Sequence, residues 1–111
     1  MAKEFAQSEA AGPKGWTVWK VVGRIDTQAA DAAYATGEGI VQKCDKTVLD
    51  MSEMEYLSSA GLRVLLRLNK LAAKSGKSFT VAGPTGMVKT VLEDSGMDVL
   101  LKLKDSLDEL E

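Results

Sequence analysis

Residues Leu49 to Leu66, LDMSEMEYLSSAGLRVLL, join an apolar strand-like run to a strongly apolar helix through a polar turn that ends in two serines. A strand feeding a helix over so short a connection points to folds in which helices pack back onto a sheet. The helical half carries the clearest pattern in the chain. From Ala60 to about Ser75, the residues Gly61, Val64, Leu65, Leu68, Leu71 and Ala72 recur on one face, and Leu62 and Leu66 widen it. Arg63, Arg67, Lys70 and Lys74 fall on the opposite side, at i, i+4, i+7 and i+11, as a solvated basic stripe does. Gly76 stands where a C′ glycine ends a helix.

The same alternation runs through the rest of the chain. Trp16 to Ile25 is rich in β-branched and aromatic residues and reads as a strand, with Gly23 marking a bulge or a close backbone approach. Asp26-Thr27 offers an N-cap for a helix from Ala29 to Val41, with Ala29, Ala32, Ala33, Ile40 and Val41 available to pack. Gly37 and Gly39 each weaken that helix by about 1 kcal/mol relative to alanine. Lys46 to Met51 is the second strand, with Val48, Leu49 and Met51 apolar, and Ser78 to Ala82 is the third. Gly83-Pro84 turns the chain, Thr85 opens a helix burying Met87, Val88, Val91 and Leu92, and Gly96 stops it. Val99 to Leu103 reads as strand or loop, Ser106 to Glu111 as a terminal helical turn, and Lys3 to Ser8 as a short edge strand.

Strands alternating with helices predict an α/β sandwich with a mostly parallel sheet, folded as one domain over residues 1–111. The strand ending at Ile25 leads into Asp26, and the strand ending at Asp50 leads into the serine turn. Both ends fall on one edge of the sheet, where connecting loops gather function.

Composition removes several functions. Fourteen basic residues against sixteen acidic ones give a net charge of −2, without the basic excess a nucleic-acid partner requires. No apolar run approaches the roughly 20 residues of a transmembrane helix, and Met1 to Phe5 lacks the apolar region of a secretory signal. The one cysteine, Cys44, forms no internal disulfide and reads as a small apolar filler near a helix end. A cytoplasmic protein without a transmembrane segment is expected.

Histidine is absent, which excludes histidine acid–base catalysis and histidine metal ligation. Ser75-Gly76-Lys77-Ser78 resembles the tail of a phosphate-binding loop, but the required upstream glycine falls at Leu71. The segment also joins helix to strand, the reverse of the context that mechanism needs. Gly83-Pro84-Thr85-Gly86 is turn chemistry. Ser59 has no histidine to activate it and sits in no G-x-S-x-G elbow, and Lys70 and Lys74 project from the far side of the helix. Asp26 and Asp50 lack further convergent metal ligands. No enzyme activity, cofactor or metal site is expected.

Ser58 and Ser59 remain. They precede a helix whose first N–H groups have no intrahelical partner and whose dipole favours negative charge. A serine there caps the helix. That is its ordinary role; it can also carry a phosphate of roughly −1.5 to −2 charges, which the helix end tolerates but a partner resting on the turn does not. Residue types alone leave both readings, and both serines, open.

Val48-Leu49-Asp50-Met51-Ser52, followed by Tyr56-Leu57-Ser58-Ser59-Ala60-Gly61-Leu62-Arg63-Val64-Leu65, resembles the signature of the STAS domain, and specifically of bacterial anti-sigma factor antagonists. Gly23-Arg24-Ile25-Asp26 is similar to the family's G-x-[LI]-D after an early strand. Phe79-Thr80-Val81-Ala82-Gly83, Val88-Lys89-Thr90-Val91-Leu92 and Ser95-Gly96-Met97 resemble its late strand, helix and S-G-[LM] turn. The likeness covers about residues 16–103. It implies a STAS-like fold, a mixed, mostly parallel sheet of four to five strands flanked by helices, without enzymatic activity.

The resemblance also implies partner switching. The unphosphorylated antagonist binds an anti-sigma factor that is also a serine kinase, and a sigma factor is released for transcription. The kinase phosphorylates a helix-start serine, which breaks the complex, and a phosphoserine phosphatase restores it. Aligning the family's Gly-Leu pair on Gly61-Leu62 puts the acceptor at Ser59. An aspartate common in the family is here Ser58, which becomes a rival acceptor. The partner-binding residues on this reading are Asp26, Thr27, Ser58, Ser59, Ala60, Gly61, Arg63 and Arg67. An alternative in the same fold is a non-phosphorylated STAS subunit of an ABC-type lipid-transport complex or of a stress-sensing assembly. A weaker one is nucleotide binding at the loop edge.

Overall fold

The central strand is β2 (Thr17–Ile25) in the computed structural model, which describes residues 4–111. β1 (Ala6–Ala11) runs antiparallel to it, from Ala6↔Val22 to Ala11↔Thr17. β3 (Lys46–Asp50) lies parallel on β2, Thr17↔Thr47 to Lys20↔Asp50. β5 (Ser78–Ala82) lies parallel beyond β3, Lys46↔Ser78 to Asp50↔Ala82. The described residues thus form a mixed, mostly parallel α/β sheet, as the alternation predicts. The first strand runs three residues later than the predicted edge strand, whose Lys3 lies outside the described residues.

The sheet has five strands, within the expected four to five, but one of them lies where the sequence reads as a turn. β4 (Met54–Leu57) occupies half of what reads as a polar turn and pairs parallel with the second half of β2, Gly23↔Met54 to Ile25↔Leu57. β3 and β4 thus follow one another alongside β2, interrupted only by Met51–Glu53. The ladder shifts register between Gly23 and Arg24, the predicted bulge. Gly23 adopts φ 88 there and donates to the Glu53 carbonyl at 3.0 Å. Lys20 pairs with Glu53 beside it, and the hydrogen bond to that carboxylate raises the ammonium above its ordinary value.

α1 (Thr27–Lys43) and α2 (Ser59–Lys74) cover one face of the sheet around Trp19, Val21, Ile25, Leu49 and Val81. α2 buries Gly61, Val64, Leu65, Leu68 and Ala72 and leaves Arg63, Arg67, Lys70 and Lys74 exposed, the predicted division. α1 turns its inward face slightly from expectation: Ala30, Ala33, Gly37, Ile40 and Val41 are buried, whereas Ala32 is exposed and Ala29 half-buried. Gly37 lies on that buried face. A Cβ there would stand 2.7 Å from both Leu68 and the Trp19 ring, so the glycine lets α1 approach closely.

α3 (Gly86–Asp94) buries Val88 and Leu92, half-buries Val91, and leaves Met87 exposed rather than packed. The run Val99 to Leu103 is not a strand: Val99 and Leu100 close a short helix, and Leu101 to Leu103 form the loop that is the other reading of it. Gly96, left-handed at φ 76, restarts the chain as a short helix, α4 (Met97–Leu100). Val99 is 78% exposed, and Lys104 then bridges to Ala82 as a single parallel contact. A 3-10 turn at Leu107–Glu109 brings Leu107 and Leu110 against Val48, Ala82, Val18 and Trp16 on the second face of the sheet.

Candidate functional site

The last register pair of β2 and β4 is Ile25↔Leu57, so the residues that follow, Asp26 and Ser58, leave the sheet side by side. Each caps a helix. The Asp26 carboxylate accepts from the Ala29 N–H at 2.8 Å and opens α1. The Ser58 hydroxyl accepts from the Gly61 N–H at 3.1 Å and opens α2. Two helix N-termini therefore stand together at one sheet edge, each with its dipole favouring negative charge outside it.

The two serines are not equivalent. Ser58 is half-buried, and its hydroxyl donates to the Ile25 carbonyl at 2.8 Å while accepting from Gly61. Its N–H also donates to Ile25, at 3.0 Å. That arrangement stitches the start of α2 to the end of β2. Ser59, the first residue of α2, is exposed, and its hydroxyl makes no hydrogen bond among the described residues.

Around them the predicted residues divide by burial. Asp26 and Ala60 are half-buried, and Thr27, Arg63 and Arg67 are exposed. Thr27, Ala60, Arg63 and Arg67 line a shallow groove of about 390 Å³ between α1 and α2. Gly61 is buried, and its missing Cβ is a packing feature: one would stand 2.5 Å from Leu57 and 3.1 Å from Ile25. Arg67 is not a free cation, since its guanidinium lies over the Tyr34 ring at 3.7 Å across the helix seam. Asp31 joins the groove lining and was not foreseen, because its turn of α1 carries no motif. Asp50 stays apart, its carboxylate accepting from Ser52 N–H at 2.9 Å. Ser75-Gly76-Lys77-Ser78 is a helix stop: Gly76 adopts φ 69 and Lys77 N–H returns to the Ala72 carbonyl at 2.8 Å.

The profile of the family described as Mlab, STAS domain matches residues 13–102. The chain belongs to the STAS domain family. This STAS domain is 25% identical over 102 residues to an anti-sigma F factor antagonist of Paenibacillus polymyxa, covering 90% of this chain and 87% of that protein. Among solved structures it is similar to an anti-sigma factor antagonist from Mycobacterium paratuberculosis, with TM-score 0.84 and 25% identity, covering 96% of this chain and 90% of that one. It shares the fold of SpoIIAA, both in its unphosphorylated form (TM-score 0.76, 14% identity, 94% and 91% covered) and in the phosphorylated form from Bacillus (TM-score 0.70, 13% identity, 94% and 95% covered). Among the described residues of the STAS domain no helix is long and apolar enough to cross a membrane.

Proposed function

We propose that this STAS domain is an anti-sigma factor antagonist switched by phosphorylation of Ser59. In the unphosphorylated form the paired N-termini of α1 and α2, with the groove of Thr27, Ala60, Arg63 and Arg67, receive an anti-sigma factor that is also a serine kinase. The sigma factor is then free to act in transcription. The kinase transfers phosphate to Ser59, and a phosphoserine phosphatase resets the cycle in the cytoplasm. The protein itself supplies a surface and a hydroxyl and performs no catalysis.

The observation that carries this reading is the difference between the two serines. Ser59 presents an unbonded, exposed hydroxyl, whereas the Ser58 hydroxyl is held by Ile25 and Gly61. A phosphate on Ser59 leaves the cap in place and sits where free N–H groups stabilise negative charge. The fold survives. A partner seated on the same turn meets nearly two added charges and their hydration.

Incubation with the cognate anti-sigma kinase and ATP, followed by phosphopeptide mapping, tests the proposal. Label is expected on Ser59 and not on Ser58. Binding without labelling of either serine would leave the unphosphorylated subunit as the better reading. Ser59→Asp is expected to weaken partner affinity at least tenfold in calorimetry while changing stability by less than about 1 kcal/mol.

A further inference from the structure

The opposite end of the molecule carries a second surface. A groove of about 320 Å³ opens beside β5, between the C-terminal half of α2 and the segment that follows α4. β5 is an edge strand. Ser78 N–H donates to the Asp45 carbonyl at 2.9 Å, and Met51 N–H to the Ala82 carbonyl at 2.8 Å. These bonds fix the alternation of a parallel ladder, so the even-numbered residues of β5 face β3 while Phe79 and Val81 turn their peptide groups outward. The Val81 carbonyl is taken by Lys104 N–H at 3.0 Å. Upstream of that bridge the Phe79 N–H and C=O take no backbone partner among the described residues, and Phe79 lines the groove.

Three lysines surround this gap, Lys77, Lys102 and Lys104, and Glu111 is the acidic side chain among its lining residues. Lys77 reaches the Gln42 carbonyl. The Lys102 and Lys104 ammonium groups make no ion pair among the described residues. Lys102 is also held in a left-handed conformation, φ 55, which a non-glycine residue adopts at a cost. The Thr80 hydroxyl fixes it there, its one proton shared between the Leu101 and Lys102 carbonyls at 2.6 and 3.0 Å. Beside the lysines, Leu100 is 47% exposed and offers apolar surface.

We propose that this groove docks an acidic, extended segment of a partner protein, added as a strand along Phe79. Lysines on an open edge repel basic strands and discourage self-pairing, and the same charges select an acidic segment. Alternation along the added strand sends its carboxylates to Lys102 and Lys104 and its apolar side chains to Leu100. Ala72 and Ala73, which line the groove, lie about 20 Å along α2 from Ser59 at 1.5 Å rise per residue. The two surfaces can therefore be occupied together.

The test uses the full chain and a fluorescein-labelled octapeptide alternating glutamate and valine, with a lysine–valine octapeptide as counterpart. Saturable binding of the acidic peptide alone is expected. Its amide shift perturbations should centre on Phe79 and Lys102 and spare Ser58 and Ser59. The double variant Lys102→Glu/Lys104→Glu should lose at least tenfold in affinity with an unchanged circular dichroism spectrum. Lys102→Gly should raise the melting temperature while weakening the peptide, because it relieves the positive φ and removes a charge. No saturable binding, equal binding of both peptides, perturbations confined to the Ser59 end, or saturation only by poly-U RNA or anionic vesicles overturns the proposal. So does full affinity in the double variant.

Discussion

Ser58 and Ser59 differ by one position and by everything that surrounds them. In the linear chain both precede the apolar helix and both fit a cap or a switch. What separates them is the Ile25 carbonyl, 33 residues upstream, which receives the Ser58 hydroxyl and assigns it to structure. No local pattern contains that acceptor, so the distinction was invisible to spacing, and only the family resemblance favoured Ser59. Ser58→Ala removes the cap of α2 and the stitch to β2. It is expected to lower stability by about 1–2 kcal/mol in urea denaturation. Ser59→Ala, with no hydroxyl bond to lose, should stay within about 0.5 kcal/mol. A larger loss in Ser59→Ala than in Ser58→Ala would reverse the assignment of roles.

Elements with a long period were legible, and those held by distant partners were not. α2 carries its own signal, an apolar face running the length of its 16 residues between a serine cap and Gly76, and it folds as the pattern predicts. β4 is four residues of mixed polarity, and its identity comes from the ladder to β2 and from Arg24 stacking over Tyr56 at 4.2 Å. The two glycines of α1 show the same division. As residue types they carry the same helix penalty, yet Gly37 lies against Trp19 and Leu68 whereas a Cβ at Gly39 meets nothing within 4 Å. Gly39→Ala should therefore stabilise the domain by up to about 1 kcal/mol, the difference in helix propensity. Gly37→Ala gains the same propensity but overpacks the seam, with a net loss of about 1–3 kcal/mol expected. Thermal melts of both variants decide it, and a stabilised Gly37→Ala would mean the seam between α1 and the sheet yields.

At the scale of the whole molecule, the sheet has two faces and only one is covered by the long helices. The other is closed by a short C-terminal segment, in which Leu110, 1% exposed, lies on Val48 and Ala82 with Leu107, Trp16 and Val18 around it. The Trp16 indole N–H donates to the Glu111 carbonyl at 3.0 Å and holds the segment down. In the sequence this stretch is an acidic helical turn, and nothing in it announces that two leucines seal the strands. Val48 and Ala82 sit on β3 and β5, so the seal protects the strands whose ends lead to the serine turn and border the lysine groove. Leu110→Ala is expected to lose about 2–5 kcal/mol, the range for emptying a buried leucine site. Loss of Leu110 packing should also expose the second face, so dye binding that reports apolar surface should rise before the main unfolding transition. Hydrogen exchange should quicken first at Val48 and Ala82, while amides of α2 keep their protection. A Leu110→Ala protein with parent stability and unchanged exchange at β3 would show that the helices alone hold the sheet, and that the terminal segment merely rests on it.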